Sequence, residues 1–272
     1  MRRIYLFGIL YLLLSLSQPV QAQRYLSLSV GTGISYYYGD LADRFTNLFI
    51  RPGVNVGASY YVNPFVRTKM NFMYTTIGSA DSAANEIERI NRNLHFRSTL
   101  MEFSGMVYWE ILQDKNYKYY WRKKPHFTPY VFTGISLFKF NPRAQLNGEW
   151  HDLQPLGTEG QYLSGPGEEP YSLWEIAIPI GVGASYRFMQ WLGVEFEMAY
   201  RKTFTDYLDD VSTNYPDQER MLNEIGPVAA ALSDRALVPT TTGGKRGNPS
   251  AKDGYFFMAF SVTVYLGNKR FL

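Results

Sequence analysis

The chain of 272 residues contains no cysteine. That excludes disulfide staples, thiolate metal ligands, a cysteine nucleophile and a lipid-modified N-terminal cysteine. Histidine is nearly as scarce, at three residues: His95, His126 and His151. Beyond the N-terminus no stretch approaches the roughly 18 uncharged apolar residues of a spanning helix, which excludes a helical membrane protein. Net charge is only +3, and removing Arg2 and Arg3 brings it to +1, so nothing favours a nucleic-acid partner. Aromatic residues are abundant instead: 17% of the chain, with 22 Tyr and 18 Phe, a surplus of strand formers.

Residues 1–22 read as a secretory signal, with Arg2 and Arg3 as a basic start, an apolar run from Ile4 to Leu16, and a small-residue cleavage site at Val20-Gln21-Ala22. Residues 23–272 then form a single domain. Across it the apolar residues recur at every second position, the period of a strand with two unlike faces. Leu26, Leu28, Val30, Thr32, Ile34 and Tyr36 oppose Ser27, Ser29, Gly31, Gly33 and Ser35. Trp174, Ile176, Ile178, Ile180, Val182, Ala184 and Tyr186 oppose Glu175, Gly181, Gly183, Ser185 and Arg187. Similar rows start near Val54, Val66, Thr99, Val131, Leu192 and Phe256. Eight such segments predict an all-β fold, an eight-stranded antiparallel transmembrane β-barrel of the outer-membrane type. A soluble sandwich or a lipocalin-like cup also alternates, but its strands are usually shorter and its rows lack aromatic ends.

The connections point the same way. Those around Gly39–Pro52, Thr76–Asn93, Asn141–Ser172 and Thr205–Asp253 are long, and those at Asn63-Pro64 and Phe188–Trp191 are tight. Short periplasmic turns alternating with long external loops are the outer-membrane pattern. The row assignments place Arg67, Lys69, Arg201, Glu102, Glu175, Glu195 and Glu197 on inward faces. In so narrow a lumen mixed charges are expected to pair and fix register, with a proton or ion path as the alternative.

Three further features invite a chemical reading. The segment RKTFTDYLDDVS brings Asp206, Asp209 and Asp210 to the start of the longest external loop, where they serve either as a loop brace, through Arg201, Lys202 or Arg235, or as oxygen ligands for a divalent cation. The fourth connection, QDKNYKYYWRKKPHF, carries Lys115, Lys118, Arg122, Lys123 and Lys124 among aromatics. It is either interfacial anchoring or a basic platform for an acidic periplasmic protein. His95, near Ser98 and Glu102, is the candidate for a lipid-modifying enzyme, although no serine sits in a nucleophile-elbow motif. No cofactor is implied. The segment Trp150–Gln161 is expected to be ordered and to fold over the barrel mouth.

Several stretches resemble a known family. FTPYVFTGISLFKFNP (Phe127–Pro142), WHDLQPLGTEGQ (Trp150–Gln161), YRKTFTDYLDDVS (Tyr200–Ser212), AALSDRA (Ala230–Ala236) and YYGDL (Tyr37–Leu41) are similar to the DUF6089 outer-membrane barrels of Bacteroidetes, a group that includes the PorG-type component of the type IX secretion system. The resemblance implies a non-enzymatic outer-membrane barrel whose partners are membrane lipid and a periplasmic ring of the PorK and PorN type. A stand-alone structural or adhesive surface barrel is the competing function, and a lipid-modifying enzyme the third.

Overall fold

The structure, a computed structural model, describes residues 26–42, 49–63, 65–111, 126–165 and 169–266. Its strands are β1 (Leu26–Tyr38), β2 (Arg51–Tyr61), β3 (Val66–Ala80), β4 (His95–Glu110), β5 (His126–Leu146), β6 (Glu149–Asp152), β7 (Trp174–Arg187), β8 (Leu192–Thr203) and β9 (Gly254–Leu266). Every pairing is antiparallel between chain neighbours, apart from the short β6, and β1 pairs with β9 to close the ring. The result is an eight-stranded up-and-down barrel with no free edge, the condition for spanning a bilayer with strands. Among the described residues no helix is long and apolar enough to cross a membrane, which says nothing of strands.

Alternation sets the inside and outside. Val30, Met70 and Ile135 are 61%, 70% and 67% exposed on the outer wall, while Ser29, Lys69 and Ser136 beside them are buried. A soluble sandwich would bury those aliphatic rows; here they form an external belt. Tyr36 departs from its row: its parity is outward, yet it is buried and belongs to the apolar cluster around Leu41 and Leu94.

Two ends result. At one end the turns are tight: Asn63 Oδ1 accepts the Phe65 and Val66 N–H groups at 2.8 and 2.9 Å, and Met189 and Leu192 exchange backbone hydrogen bonds. At the other, β3 and β5 run past the barrel rim. β5 folds back through Asn147-Gly148, both at positive φ, into β6, an Asn-Gly hairpin of the kind that matches strand twist. Helices α1 (Ile87–Arg92) and α2 (Pro227–Ser233) lie in the long connections there. Together these loops make a cap.

Glycines let the narrow lumen accept large side chains. A Cβ at Gly57 would lie 2.6 Å from Lys69 Cε, and one at Gly183 would lie 2.5 Å from Tyr130 Cε2.

Candidate functional site

The lumen holds two charged layers. Towards the turn end, Arg67 on β3 reaches Glu195 on β8 at 2.8 Å and Glu110 on β4 at 3.2 Å. Lys69 bridges Glu195 at 3.2 Å and Glu197 at 3.1 Å. In the ring order β3 and β8 stand four strands apart whichever way round, so these pairs span the barrel's diameter. The Arg67 guanidinium also lies between the Tyr108 and Tyr130 rings, 4.2 and 4.5 Å from their centroids. Nearer the cap, Arg201 Nε lies 3.3 Å from Glu102 Oε2, which also accepts the Tyr255 hydroxyl at 2.5 Å. Above that layer Met73, Ile77, Leu100, Phe138, Phe140 and Phe257 pack as an apolar plug. Among the described residues, ion pairs and this plug thus occupy the lumen from the turn end to the cap.

Glu175 corrects the sequence reading. It is half-buried on the inward parity of β7, but no cation among the described residues pairs with it. Glu110, absent from the expected network, takes part through Arg67 instead.

The cap is built on three buried carboxylates. Glu159, in the loop after β6, accepts Ser212 N at 2.8 Å, Thr213 N at 3.0 Å, Thr213 Oγ1 at 2.7 Å and Arg246 Nη1 at 2.9 Å. Asp81, after β3, takes Arg92 Nε and Nη2 at 2.7 Å each, with Leu94 N at 3.1 Å. Asp210 accepts the Thr158 hydroxyl and, at 2.6 Å, that of Tyr171, with Arg246 Nη2 3.8 Å away. Arg246 also donates to the carbonyls of Asp210 (2.5 Å) and Ser233 (3.1 Å), joining the ends of the longest loop. The rings of Phe140, Tyr171 and Tyr207 stack beneath.

Two of the three aspartates of RKTFTDYLDDVS therefore turn to different partners, Asp209 to Tyr37 and Asp210 to Thr158 and Tyr171. Among the described residues no group of three or more His, Asp or Glu side chains is arranged to hold a metal ion. The brace uses a different cation from those expected: Arg201 turns into the lumen, Arg235 donates to Gln145 O at 2.8 Å, and Arg246 takes Asp210. Asp209 Oδ2 and Asp253 Oδ1 lie 2.6 and 2.7 Å from the Tyr37 hydroxyl. That hydroxyl has a single proton, so one of the two carboxyls must supply the second. Burial accordingly raises Asp209 and Asp253 well above the ordinary carboxylate range. Burial also pushes Asp206 up to about 7, and Asp210 to about 6 against the opposing pull of Arg246.

His95 does not form a relay. Its Nε2 accepts Gln145 N–H at 2.9 Å, Ser98 Oγ accepts Asn141 N–H at 3.1 Å, and Glu102 is engaged with Arg201 and Tyr255. The segment Trp150–Gln161 enters the cap, with Leu153 and Gly157 to Gln161 buried. Residues 1–22 and the basic candidates Lys115, Lys118, Arg122, Lys123 and Lys124 lie outside the described residues.

A family model described as a domain of unknown function, DUF6089, matches residues 3–226. The chain belongs to the DUF6089 family. The stretches that carry the sequence resemblance meet in this DUF6089 cap: Tyr37 from YYGDL, Glu159 from WHDLQPLGTEGQ, Asp209 and Asp210 from YRKTFTDYLDDVS, and Ser233 from AALSDRA. No curated protein matches the chain. Among solved structures the DUF6089 chain is similar to Ail, the attachment invasion locus protein of Yersinia pestis, at 9% identity over 90% of this chain and 99% of that one, with a TM-score of 0.43. It is likewise similar to Neisserial surface protein A at 12% identity, 89% and 97% coverage and TM-score 0.42. The N-terminal β-barrel domain of Pseudomonas aeruginosa OprF gives 9% identity, 88% and 97% coverage and TM-score 0.36. Likenesses this distant leave role and ligands unspecified.

Proposed function

We propose that this chain is a non-enzymatic outer-membrane subunit of a protein secretion machine of the type IX, PorG-like kind, linking the membrane to a periplasmic ring of the PorK and PorN type. The observation that carries the reading is the filled lumen: a barrel packed with cross-diameter ion pairs and an apolar plug is suited to anchoring and bracing, not to conduction. The external aliphatic belt supports an outer-membrane location, with the signal at residues 1–22 directing export and the cap facing outward. The His95 geometry supports a role without catalysis. Ring capture is assigned to Lys115, Lys118, Arg122, Lys123 and Lys124, in the sequence between β4 and β5, by charge complementarity with an acidic partner.

The rigid, interlocked cap favours a second reading, a stand-alone surface barrel acting in adhesion or envelope integrity. Gene deletion separates the two. Loss of bulk protein secretion with an intact envelope supports the secretion subunit, whereas envelope leakage with normal secretion supports the stand-alone barrel. Reversing Arg122, Lys123 and Lys124 to Glu is expected to abolish co-isolation of the ring proteins from outer membranes, and unchanged co-isolation would remove that contact.

A further inference from the structure

On β4 and β5 the outer wall changes character as it nears the cap. Met101, Phe103, Leu137 and, on β7, Ile176 are exposed members of the apolar belt. Beyond them, on the same outward parity, stand three exposed cations: Arg97 on β4, and Lys139 and Arg143 on β5. Arg97 and Arg143 are directly opposite each other in the β4–β5 register. Lys139 is opposite Met101 on one side and Trp174 on the other.

Like charges set face to face in a ladder repel, so this juxtaposition costs the sheet stability in the absence of a bridging anion. The protein offsets one of the three cations itself. Asp152 on β6, opposite Arg143 on the side away from Arg97, pairs with Arg143 and accepts Asn141 Nδ2 at 3.0 Å. Arg97 and Lys139 have no carboxylate partner among the described residues. Each rests against a tryptophan instead, Arg97 6.0 Å from the Trp150 ring centroid and Lys139 5.9 Å from that of Trp174. Glu175, next to Trp174, has the opposite parity and is half-buried, so it does not neutralise this face.

Two uncompensated cations and exposed tryptophans at the border of an apolar belt define the occupant by its chemistry. A soluble anion, or an acidic segment of a water-borne protein, would engage the cations and leave Met101, Leu137 and Ile176 untouched. An anionic lipid engages both, because its chains already lie against the belt and its phosphate lies at the belt's edge. Arg97 and Lys139 are separated by four residues of strand, roughly 13 Å, a gap that two long side chains can close on one phosphate. We propose that this strip binds a phosphate-bearing anionic lipid of the cap-side leaflet, its headgroup held by Arg97 and Lys139 and its acyl chains against Met101, Leu137 and Ile176. The inference needs the lipid-facing wall and is independent of the secretion reading.

The test is native mass spectrometry of the full chain, purified in detergent and titrated with phosphatidic acid or with phosphatidylcholine of the same acyl chains. The first phosphatidic acid adduct is expected at about tenfold lower lipid concentration than the first phosphatidylcholine adduct. Arg97→Gln with Lys139→Gln should erase that preference. Lys245→Gln with Lys252→Gln, the same loss of charge at two exposed cap residues, should leave it intact, as should Lys139→Arg, which retains the cation. All the substituted residues are exposed, and heat-modifiable gel migration verifies that each variant still forms the barrel. Equal affinity for the two lipids, a preference lost as fully in the cap variant, or displacement of the adduct by inorganic phosphate at constant ionic strength would each overturn the proposal.

Discussion

At Arg67 the physics of a buried charge is easiest to isolate. The residue is fully buried, stacked on two tyrosines and paired with two carboxylates, so its removal deletes both packing and neutralisation. Glu195 would keep Lys69, whereas Glu110 would lose its ion-pair partner. Arg67→Met should therefore cost about 3–5 kcal/mol of barrel stability, and Glu110→Gln in the same molecule should recover part of it. Thermal midpoints from heat-modifiable migration measure this coupling; strictly additive losses would contradict the pairing. The cap carboxyls make a second residue-scale case. Asp206, Asp209, Asp210 and Asp253 all titrate above an unfolded carboxyl's pKa of about 3.9. Groups raised in this way contribute stability that is fully present below that unfolded value and is lost as pH rises through the folded values. Protease cleavage of the cap in urea should accordingly need more denaturant at pH 5 than at pH 8. Asp209→Asn with Asp253→Asn should reduce the difference, leaving the part due to Asp206 and Asp210, and a cap that tightens as pH rises would refute the assignment.

Among the elements, the eight rows of alternating side chains were legible in the sequence, because parity along a strand is a local property. The rows starting at Val54, Val66 and Trp174 face outward as their spacing implies. The continuation of β5 into the β6 hairpin was not read, although Asn147-Gly148 is a recognisable turn signal. The charge partners were harder still. Parity says that Glu175 and Glu195 face the same way, but only ring position and register place Glu195 across from Lys69 and leave Glu175 without a cation. Arg246 was missed for a related reason, since its partners Glu159 and Asp210 lie 87 and 36 residues away in other parts of the cap. Arg246→Met leaves the Glu159 carboxylate buried without its cation, a loss of about 3–5 kcal/mol confined to the cap. Limited proteolysis should cut residues 204–253 much faster while barrel migration stays unchanged; unaltered cap protection would mean that the aromatic stack, not Arg246, holds the loops.

For the whole molecule everything depends on an inversion: aliphatic rows turned outward to lipid, and ionic groups turned inward to neutralise one another across a closed ring. Closure removes every edge from the eight barrel strands, the filled lumen makes the cylinder stiff, and the cap seals one end with side chains drawn from four separate loops. Such a body suits anchorage in a membrane with machinery gathered at either end. Spin labels placed one at a time from Ala259 to Val262 on β9, with the protein in lipid vesicles, report this directly. Collision with oxygen, which concentrates in the bilayer, should be high at Phe260 and Val262 and low at Ala259 and Ser261, while a water-soluble nickel chelate reaches none of the four. High nickel collision at Phe260 and Val262, or no alternation at all, would contradict a lipid-facing barrel wall.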